Sequence, residues 1–228
     1  MSSRLVVALD TASPAVARAW AEAVAPWCGL MKLGLEYFVA NGPAEVRGVS
    51  GRPVFLDLKL HDIPNTVARA VEAVLPLEPR MLTVHASGGP EMMAAARRAA
   101  ELAGVERPLL LGVTVLTSLD AAALAAIGMV GGTVEQALRL GRLAVSAGAD
   151  GLVCSAHEVA ALRAELGGRV KLVVPGIRPL GTEAGDQART MTPEQAVAAG
   201  ADWIVVGRPI TAAADPAAAA AAISRVLV

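Results

Sequence analysis

Eight short runs rich in aliphatic and β-branched residues recur along the chain, and helical stretches separate them. The runs predict strands near residues 4–10, 30–35, 53–60, 81–87, 109–116, 151–155, 170–177 and 203–207. Alanine- and leucine-rich segments with helical spacing lie between them, among them 14–27, 90–104 and 133–149. Strict alternation of strand and helix implies parallel strands joined by helical crossovers, and eight such units fit a closed barrel better than an open sheet. The sequence therefore predicts an α/β protein with the (β/α)8 fold, the TIM barrel.

The chain is expected to form one domain. No linker or break in composition divides the 228 residues, and a chain of this length can bury a sizeable core. A single barrel domain over residues 1–228 is the simplest interpretation. The alanine run 217–222 follows Pro216 and predicts a terminal helix rather than a disordered tail.

Composition and charge favour a small-molecule partner. Lysines and arginines are scattered, the net charge is -1 and aromatic residues make up only 3%, so no groove for nucleic acid is expected. No apolar run reaches the ~18 residues of a membrane span. The first apolar run ends at Asp10 and is too short for a secretory signal, which favours a cytoplasmic location. Cys28 and Cys154 lack metal-ligand spacing and are expected to be buried, reduced thiols.

Charged residues interrupt the third predicted strand, in the segment FLDLKLHDIPNTV at 55–67. Side chains alternate across a strand, so Phe55, Asp57 and Lys59 share one face while the leucines share the other. In a barrel the leucine face meets the helices. Asp57 and Lys59 are therefore expected to point inward near the C-terminal end of the strand, where barrel enzymes place their chemistry.

Two further charged residues occupy comparable positions, because Asp10 closes strand one and Lys32 lies within strand two. Each alone is explained by an ion pair or a strand-end cap. Desolvating an ion costs several kcal/mol, however, so four such charges are hard to explain as stabilisers and predict electrostatics directed at a ligand. Asp62 has a second explanation, since an aspartate two residues before Pro64 can cap a helix that begins there.

The loops after strands seven and eight predict a phosphate site. Barrels commonly bind phosphate there with backbone N–H groups and arginines. Gly176 and Arg178 follow strand seven, and Gly207 and Arg208 follow strand eight. The glycines permit close backbone approach and the arginines offer forked donors. The connection 178–192 is long, polar and punctuated by glycine, so we expect it to be a lid that closes over the site.

The string DLKLHDIPNT at 57–66 resembles the signature D-x-K-x-x-D and I-P-N-T of the orotidine 5'-phosphate decarboxylase family. Other segments resemble that family's further blocks, in its order: VALD (7–10), MKLGLE (31–36), TVHASGG (83–89), GVTVLTS (112–118), PGIRP (175–179), GDQARTMTP (185–193) and VVGRPIT (205–211). Together they span almost the whole chain. The resemblance implies release of CO2 from C6 of orotidine 5'-phosphate to give UMP, the last step of de novo pyrimidine nucleotide synthesis, with no cofactor and no metal.

The resemblance also implies a role for each charged residue of the predicted cluster. Lys59 would protonate the carbanion at C6 of the pyrimidine. Asp57 would lie near the departing carboxylate and hold Lys59 in place. Lys32 would link Asp10 and Asp57 and bind a ribose hydroxyl, with Asp10 on the same sugar.

Further residues receive roles from the resemblance alone. In the family, the aspartate matching Asp62 enters the site of the neighbouring subunit, with Ile63 and Thr66 beside it, which implies a homodimer. Gln187 would bridge the phosphate and the base from the long connection. Thr117, just past strand five, would form a hydrogen bond with the pyrimidine.

Two alternative functions remain open. A related barrel of the ribulose-phosphate epimerase or keto-gulonate-phosphate decarboxylase kind shares a similar third strand but typically employs a divalent metal. Lys32 and the continuation HDIPNT argue against it, and His61, His85 and His157 form no metal set. These histidines are expected to be structural, although His85 is a candidate partner of the charged network. The other alternative is a non-catalytic barrel that binds pyrimidine nucleotides.

Overall fold

The structure is a computed structural model that describes residues 3–49, 52–179 and 191–227. Eight parallel strands pair in chain order, and the last pairs with the first to close a barrel. The strands are β1 (Leu5–Ala8), β2 (Leu30–Gly34), β3 (Val54–Leu60), β4 (Met81–His85), β5 (Leu109–Val113), β6 (Gly151–Val153), β7 (Lys171–Val174) and β8 (Trp203–Val206). The predicted (β/α)8 barrel is confirmed. Most strands end earlier than predicted, because the residues that follow them belong to the loops of the C-terminal rim.

Helices connect the strands, and several begin with a proline, whose fixed φ suits the first turn. They are α1 (Pro14–Val24), α2 (Leu35–Val46), α3 (Pro64–Val74), α4 (Pro90–Ala100), α5 (Ala121–Ala126), α6 (Thr133–Ser146), α7 (Val159–Leu166), α8 (Pro193–Ala198), α9 (Arg208–Thr211) and α10 (Pro216–Arg225). The predicted helices 14–27 and 133–149 end three residues early, whereas 90–104 continues after α4 as a 3-10 helix, Glu101–Glu106. The predicted terminal helix is confirmed by α10.

The two faces of the strands contribute to two apolar clusters. Leu56 and Leu58 pack in the large cluster that the helices share. Phe55 points into the barrel, where it joins a smaller cluster made of Val6, Ala8, Leu30, Met81, Leu111, Val173 and Val205. Burying one such large apolar side chain contributes about 1.5 to 3 kcal/mol. The inner cluster fills the barrel below the charged residues, which occupy the next inward positions of β2 and β3.

A partly buried carboxylate joins several elements at the N-terminal rim of the barrel. Asp150, just before β6, accepts the backbone N–H of Leu110 at 2.8 Å. The same carboxylate lies 2.7 Å from Arg107 and 3.0 Å from Arg97 at the end of α4. Strands β5 and β6 are thereby joined to a helix by one acid, on the rim opposite the predicted site.

A second copy of this arrangement precedes β8. Asp202 accepts the N–H of Leu172 at 2.9 Å and lies 2.6 Å from Arg163 of α7. In both copies a helical arginine also donates to the carbonyl of the glycine two positions before the aspartate. A sequence signal for this repeat exists, because Ala-Gly-Ala-Asp occurs at 147–150 and again at 199–202, but the sequence analysis did not use it.

Replacing Asp150 with asparagine should destabilise the barrel. Burial opposes the charge of Asp150, but Arg107 and the N–H of Leu110 outweigh it and hold its pKa below the ordinary value. We expect Asp150→Asn to lower the free energy of unfolding by about 2 to 3 kcal/mol, because two guanidinium groups lose their carboxylate. Urea denaturation at neutral pH measures this loss.

The loss should also depend on pH in a defined direction. Because folding lowers the pKa of Asp150, its carboxylate stabilises the protein above the unfolded pKa of about 4, and that stability disappears as pH falls through the folded pKa. The urea midpoints of the wild-type protein and of Asp150→Asn should therefore converge in acid. Glu165→Gln, which breaks an exposed pair with Arg142, is the matched control and should leave the midpoint unchanged. Equal effects of both substitutions would contradict a structural role for Asp150.

Candidate active site

A cavity of about 480 Å³ opens at the C-terminal rim of the barrel. Its lining includes most of the residues that the sequence singled out: Asp10, Lys32, Asp57, Lys59, Thr117, Gly176, Arg178, Gly207 and Arg208. Lys32, Asp57 and Lys59 lie on β2 and β3. Asp10 follows β1, two residues after its end, and the two arginines follow β7 and β8. The charged cluster and the predicted phosphate loops therefore line the same cavity.

The four charged side chains form one network. Lys32 lies between two acids, with its Nζ 2.9 Å from Asp10 Oδ1 and 3.5 Å from Asp57 Oδ2. Lys59 Nζ lies 2.8 Å from Asp57 Oδ1. Asp57 is thus shared by two ammonium groups, one on each carboxylate oxygen. The acids and bases interleave inside the barrel mouth, as the alternation of strand side chains predicted.

Burial and charge act in opposition on the centre of this network. Lys32 and Asp57 are each only 8% exposed. Burial alone would lower the pKa of Lys32, but Asp57 and Asp10 outweigh it, so this pKa is raised above its ordinary value. Burial likewise opposes the charge of Asp57, but Lys32, Lys59 and Thr83 outweigh it, so this pKa is lowered. Both groups are therefore charged at neutral pH, and the cavity contains fixed charges that need not reorganise.

Lys59 has an unusual backbone conformation for a strand residue. Its φ is 50°, in the left-handed region that residues other than glycine rarely adopt. The pairing of β3 with β4 shifts at this point, because Leu56 pairs with Leu82 but Leu60 already pairs with Val84. Such bulges redirect side chains and are common next to active sites. The orientation of Lys59 therefore depends on this bulge as well as on strand alternation, which sequence reasoning did not anticipate.

Two guanidinium groups converge at the other end of the cavity. Burial and then the like charge of Arg208 lower the pKa of Arg178, so the pair favours an anion between them. The N–H of Arg178 donates to the carbonyl of Met191 at 3.0 Å, and Ile177 forms a β-bridge with Met191. The two ends of the long connection are thereby joined beside the cavity. Gly176, with φ 76°, supplies the left-handed turn that leads into Arg178.

The predicted residues after β3 lie on the rim instead of in the cavity lining. Asp62, Ile63 and Thr66 are exposed. The expectation that Asp62 caps a helix is wrong: the cap position of α3 is Ile63, and the carboxylate of Asp62 accepts only the adjacent N–H of Ile63, at 2.7 Å. The N-cap is the residue immediately before the first helical position, so a helix that begins at Pro64 has its cap at Ile63, one residue later than predicted. Gln187, and residues 180–190 of the predicted lid, lie outside the described residues.

Several residues of the site received no role from the sequence. Glu36 at the start of α2, Phe55 on the inner face of β3 and Leu116 after β5 all line the cavity. Thr83 contacts the charged network from β4. A threonine or a phenylalanine in a strand is ordinarily a core residue, so only the inward register of these strands could have indicated them.

The two cysteines are buried, as predicted, and two of the histidines lie close together. Cys28 and Cys154 are not joined by a disulfide bond, and burial raises the pKa of Cys28 to about 11. The rings of His61 and His85 lie 5.3 Å apart. Burial, then the charges of His61 and Lys59, lower the pKa of His85, which makes a neutral imidazole beside the network.

The described residues contain neither a metal-ligand cluster nor a membrane-spanning helix. Within residues 3–49, 52–179 and 191–227, no group of three or more histidine, cysteine, aspartate or glutamate side chains could hold a metal ion. No helix in these ranges combines the length and the apolar character needed to cross a bilayer.

Comparison with known proteins identifies the family. The sequence profile described as orotidine 5'-phosphate decarboxylase / HUMPS family matches residues 3–223. The chain belongs to this family. The resemblance first noted at DLKLHDIPNT is thereby confirmed over nearly the full length.

Relatives and solved structures agree with this assignment. The chain is 58% identical over 225 residues to an orotidine 5'-phosphate decarboxylase of Gluconobacter oxydans, which covers 97% of this chain and 95% of the relative. It is 59% identical over 225 residues to one of Anaeromyxobacter dehalogenans, with 98% and 97% covered. The crystal structure of orotidine 5'-phosphate decarboxylase from Lactobacillus acidophilus superposes with a TM-score of 0.86 at 36% identity, covering 99% of each chain.

The arginine pair can be tested with inorganic phosphate alone. Arg208→Gln should weaken phosphate binding about tenfold or more, because a charge-assisted hydrogen bond contributes about 1.5 to 3 kcal/mol. Isothermal titration calorimetry measures the affinity. Arg225→Gln is the control, since Arg225 lies beside Ser224, which contacts Ser3 on the opposite rim. Unchanged affinity in Arg208→Gln would show that the pair does not bind the anion.

Proposed function

We propose that the protein decarboxylates orotidine 5'-phosphate at C6 and releases CO2 and UMP, the last step of de novo pyrimidine nucleotide synthesis. The observation that carries the proposal is the Asp10, Lys32, Asp57 and Lys59 network, which shares one cavity with Arg178 and Arg208. A phosphorylated substrate with a reacting carboxylate matches both ends of this cavity. Full-length relatives that carry the decarboxylase name support the same activity.

In the proposed reaction Lys59 is the proton donor. The bond between C6 and the carboxylate breaks, and its electron pair stays on C6 while CO2 departs. The Lys59 ammonium stabilises this negative charge and transfers a proton to C6, after which the amine regains a proton from water. Asp57 holds the ammonium at 2.8 Å, so the cation is in place before charge develops.

The remaining charges position and destabilise the substrate. Asp57 would lie beside the substrate carboxylate, where its negative charge destabilises the bound substrate relative to the transition state. Its second role would be to position Lys59. Lys32 and Asp10, 2.9 Å apart, would bind the ribose hydroxyls. Thr117 lines the cavity after β5 and would form a hydrogen bond with the pyrimidine.

The phosphate end is proposed to contribute binding energy to the chemistry. Arg178, Gly207 and Arg208 would hold the phosphate, and Gln187 would bridge it to the base. We further propose that the connection 178–192 closes over the bound substrate and excludes water. Interactions with a remote phosphate can in this way lower the barrier at C6.

The proposal requires neither a metal nor another cofactor. Lys32 already neutralises the acids that a divalent cation would use, because its Nζ contacts both Asp10 and Asp57. This contact disfavours the metal-dependent alternative. We propose that residues 1–228 act as one decarboxylase domain in the cytoplasm, with no nucleic acid or membrane partner.

The activity can be tested by following CO2 release from orotidine 5'-phosphate. Lys59→Ala should lower kcat by about 10²- to 10⁴-fold, because the variant loses both the proton donor and the cation, while KM changes much less. Excess chelator should leave the wild-type rate unchanged. Activity that disappears with chelator and returns with a divalent cation would favour the metal-dependent alternative. Absence of CO2 release from the wild-type protein would contradict the proposed function.

We propose a homodimer in which Asp62 completes the site of the neighbouring subunit. Support comes from apolar side chains that are exposed on the rim beside the cavity. Ile63, next to Asp62, is 67% exposed. Leu35 and Val39 of α2 follow the neighbouring strand and are 50% and 78% exposed. Contact with a second copy would bury these side chains and bring Asp62 toward the partner's cavity.

Subunit mixing tests this arrangement. Lys59→Ala and Asp62→Ala should each be inactive as homodimers, but a mixed dimer has one site with both residues intact. Random exchange should therefore restore about one quarter of the wild-type activity. Asp57→Ala mixed with Lys59→Ala is the control and should remain inactive, because both residues belong to the same chain's side of the site. Failure of the first mixture to regain activity, with exchange verified, would refute the shared site.

A further inference from the structure

Thr83 lies where the bulge of β3 meets the charged network. It occupies the inner face of β4, two residues after Met81 of the inner cluster, and it is fully buried. Its Oγ1 donates a hydrogen bond to Asp57 Oδ1 at 3.0 Å. The same oxygen accepts the backbone N–H of Lys59 at 2.9 Å. One hydroxyl therefore contacts both partners of the Lys59–Asp57 ion pair.

The N–H of Lys59 needs this acceptor. Between Leu56 and Leu60 the pairing of β3 with β4 shifts, and the left-handed backbone of Lys59 turns its N–H toward the side chain of Thr83. A buried N–H without an acceptor costs about 1 to 3 kcal/mol. The hydroxyl thus stabilises the φ of 50° that orients the Lys59 side chain.

The other bond of the hydroxyl acts on the carboxylate. Asp57 Oδ1 accepts from Thr83 at 3.0 Å and from Lys59 Nζ at 2.8 Å, so one oxygen is fixed from two directions. The second oxygen remains directed at Lys32, 3.5 Å away. Loss of the hydroxyl would free the carboxylate to rotate and the bulge to relax, and both changes would move the ammonium.

We propose that Thr83 is a positioning residue, which sets the place of the Lys59 ammonium by holding its backbone N–H and its Asp57 partner with one hydroxyl. The inference rests on the proposed decarboxylation. Thr83 acts through Lys59 and Asp57 and is not proposed to contact the substrate. A valine has nearly the same shape, so packing alone does not explain a hydroxyl at this fully buried position.

Paired substitutions test this role. Thr83→Val should lower kcat for orotidine 5'-phosphate about 10- to 100-fold, because small displacements of a reacting group cost this much, while KM stays close to the wild-type value. Thr83→Ser keeps the hydroxyl and should retain kcat within a few-fold of wild type. Thr83→Cys, a weaker donor and acceptor, should lie between them and serves if the valine variant does not fold.

Thr114→Val is the matched control for a lost buried hydroxyl. Thr114 is 4% exposed, and its Oγ1 donates to the carbonyl of Val153 at 3.0 Å, outside the charged network. This variant should lose stability in urea but retain kcat. Thr83→Val with wild-type kcat, or a serine variant as slow as the valine variant, would overturn the inference while leaving the decarboxylase activity intact. Wild-type protein without CO2 release would refute the proposed function and, with it, the role of Thr83.

Discussion

A single carboxylate shared by two ammonium groups organises the functional end of this protein. Asp57 is almost completely buried, and no carboxylate remains charged in such a place unless cations compensate it. Lys32 and Lys59 supply that compensation from two strands, and the charge of Lys32 is in turn maintained by Asp57 and Asp10. Removing one member would weaken the compensation of its partners, so the charges of the network depend on one another.

The closed barrel makes this mutual dependence possible. Parallel pairing places Lys32 of β2 opposite Phe55 and Gly34 opposite Asp57, so inward residues of neighbouring strands form successive layers. On each of these two strands a charged inward residue follows an apolar one toward the C-terminal rim: Lys32 follows Leu30, and Asp57 follows Phe55. Backbone hydrogen bonds of the sheet therefore position charges that would be costly to place with loops alone.

Much of the fold and of the charged cluster could be predicted from the sequence, and there are physical reasons why the rest could not. The eight strands follow from the recurring apolar runs. The inward face of β3 follows from the alternation of its side chains, because Leu56 and Leu58 lie on the face that packs against the helices. The bulge at Lys59 could not be predicted, since it arises from the match between two strands and not from either alone. Thr83 was missed for the same reason, because a lone threonine in an apolar strand carries no visible partner.

The N-terminal rim has a consequence for how such a protein can change. Asp150 and Asp202 accept backbone N–H groups of two strands, and their arginine partners donate to glycine carbonyls. Both sets of contacts lie at the end of the barrel opposite the cavity. The interactions that stabilise the fold and the residues that line the cavity therefore lie at opposite ends of the same strands. Substitutions in the loops of the C-terminal rim can alter which phosphorylated molecule is accepted without weakening the contacts of Asp150 and Asp202. The chemistry of such a barrel can therefore diverge while its fold is retained.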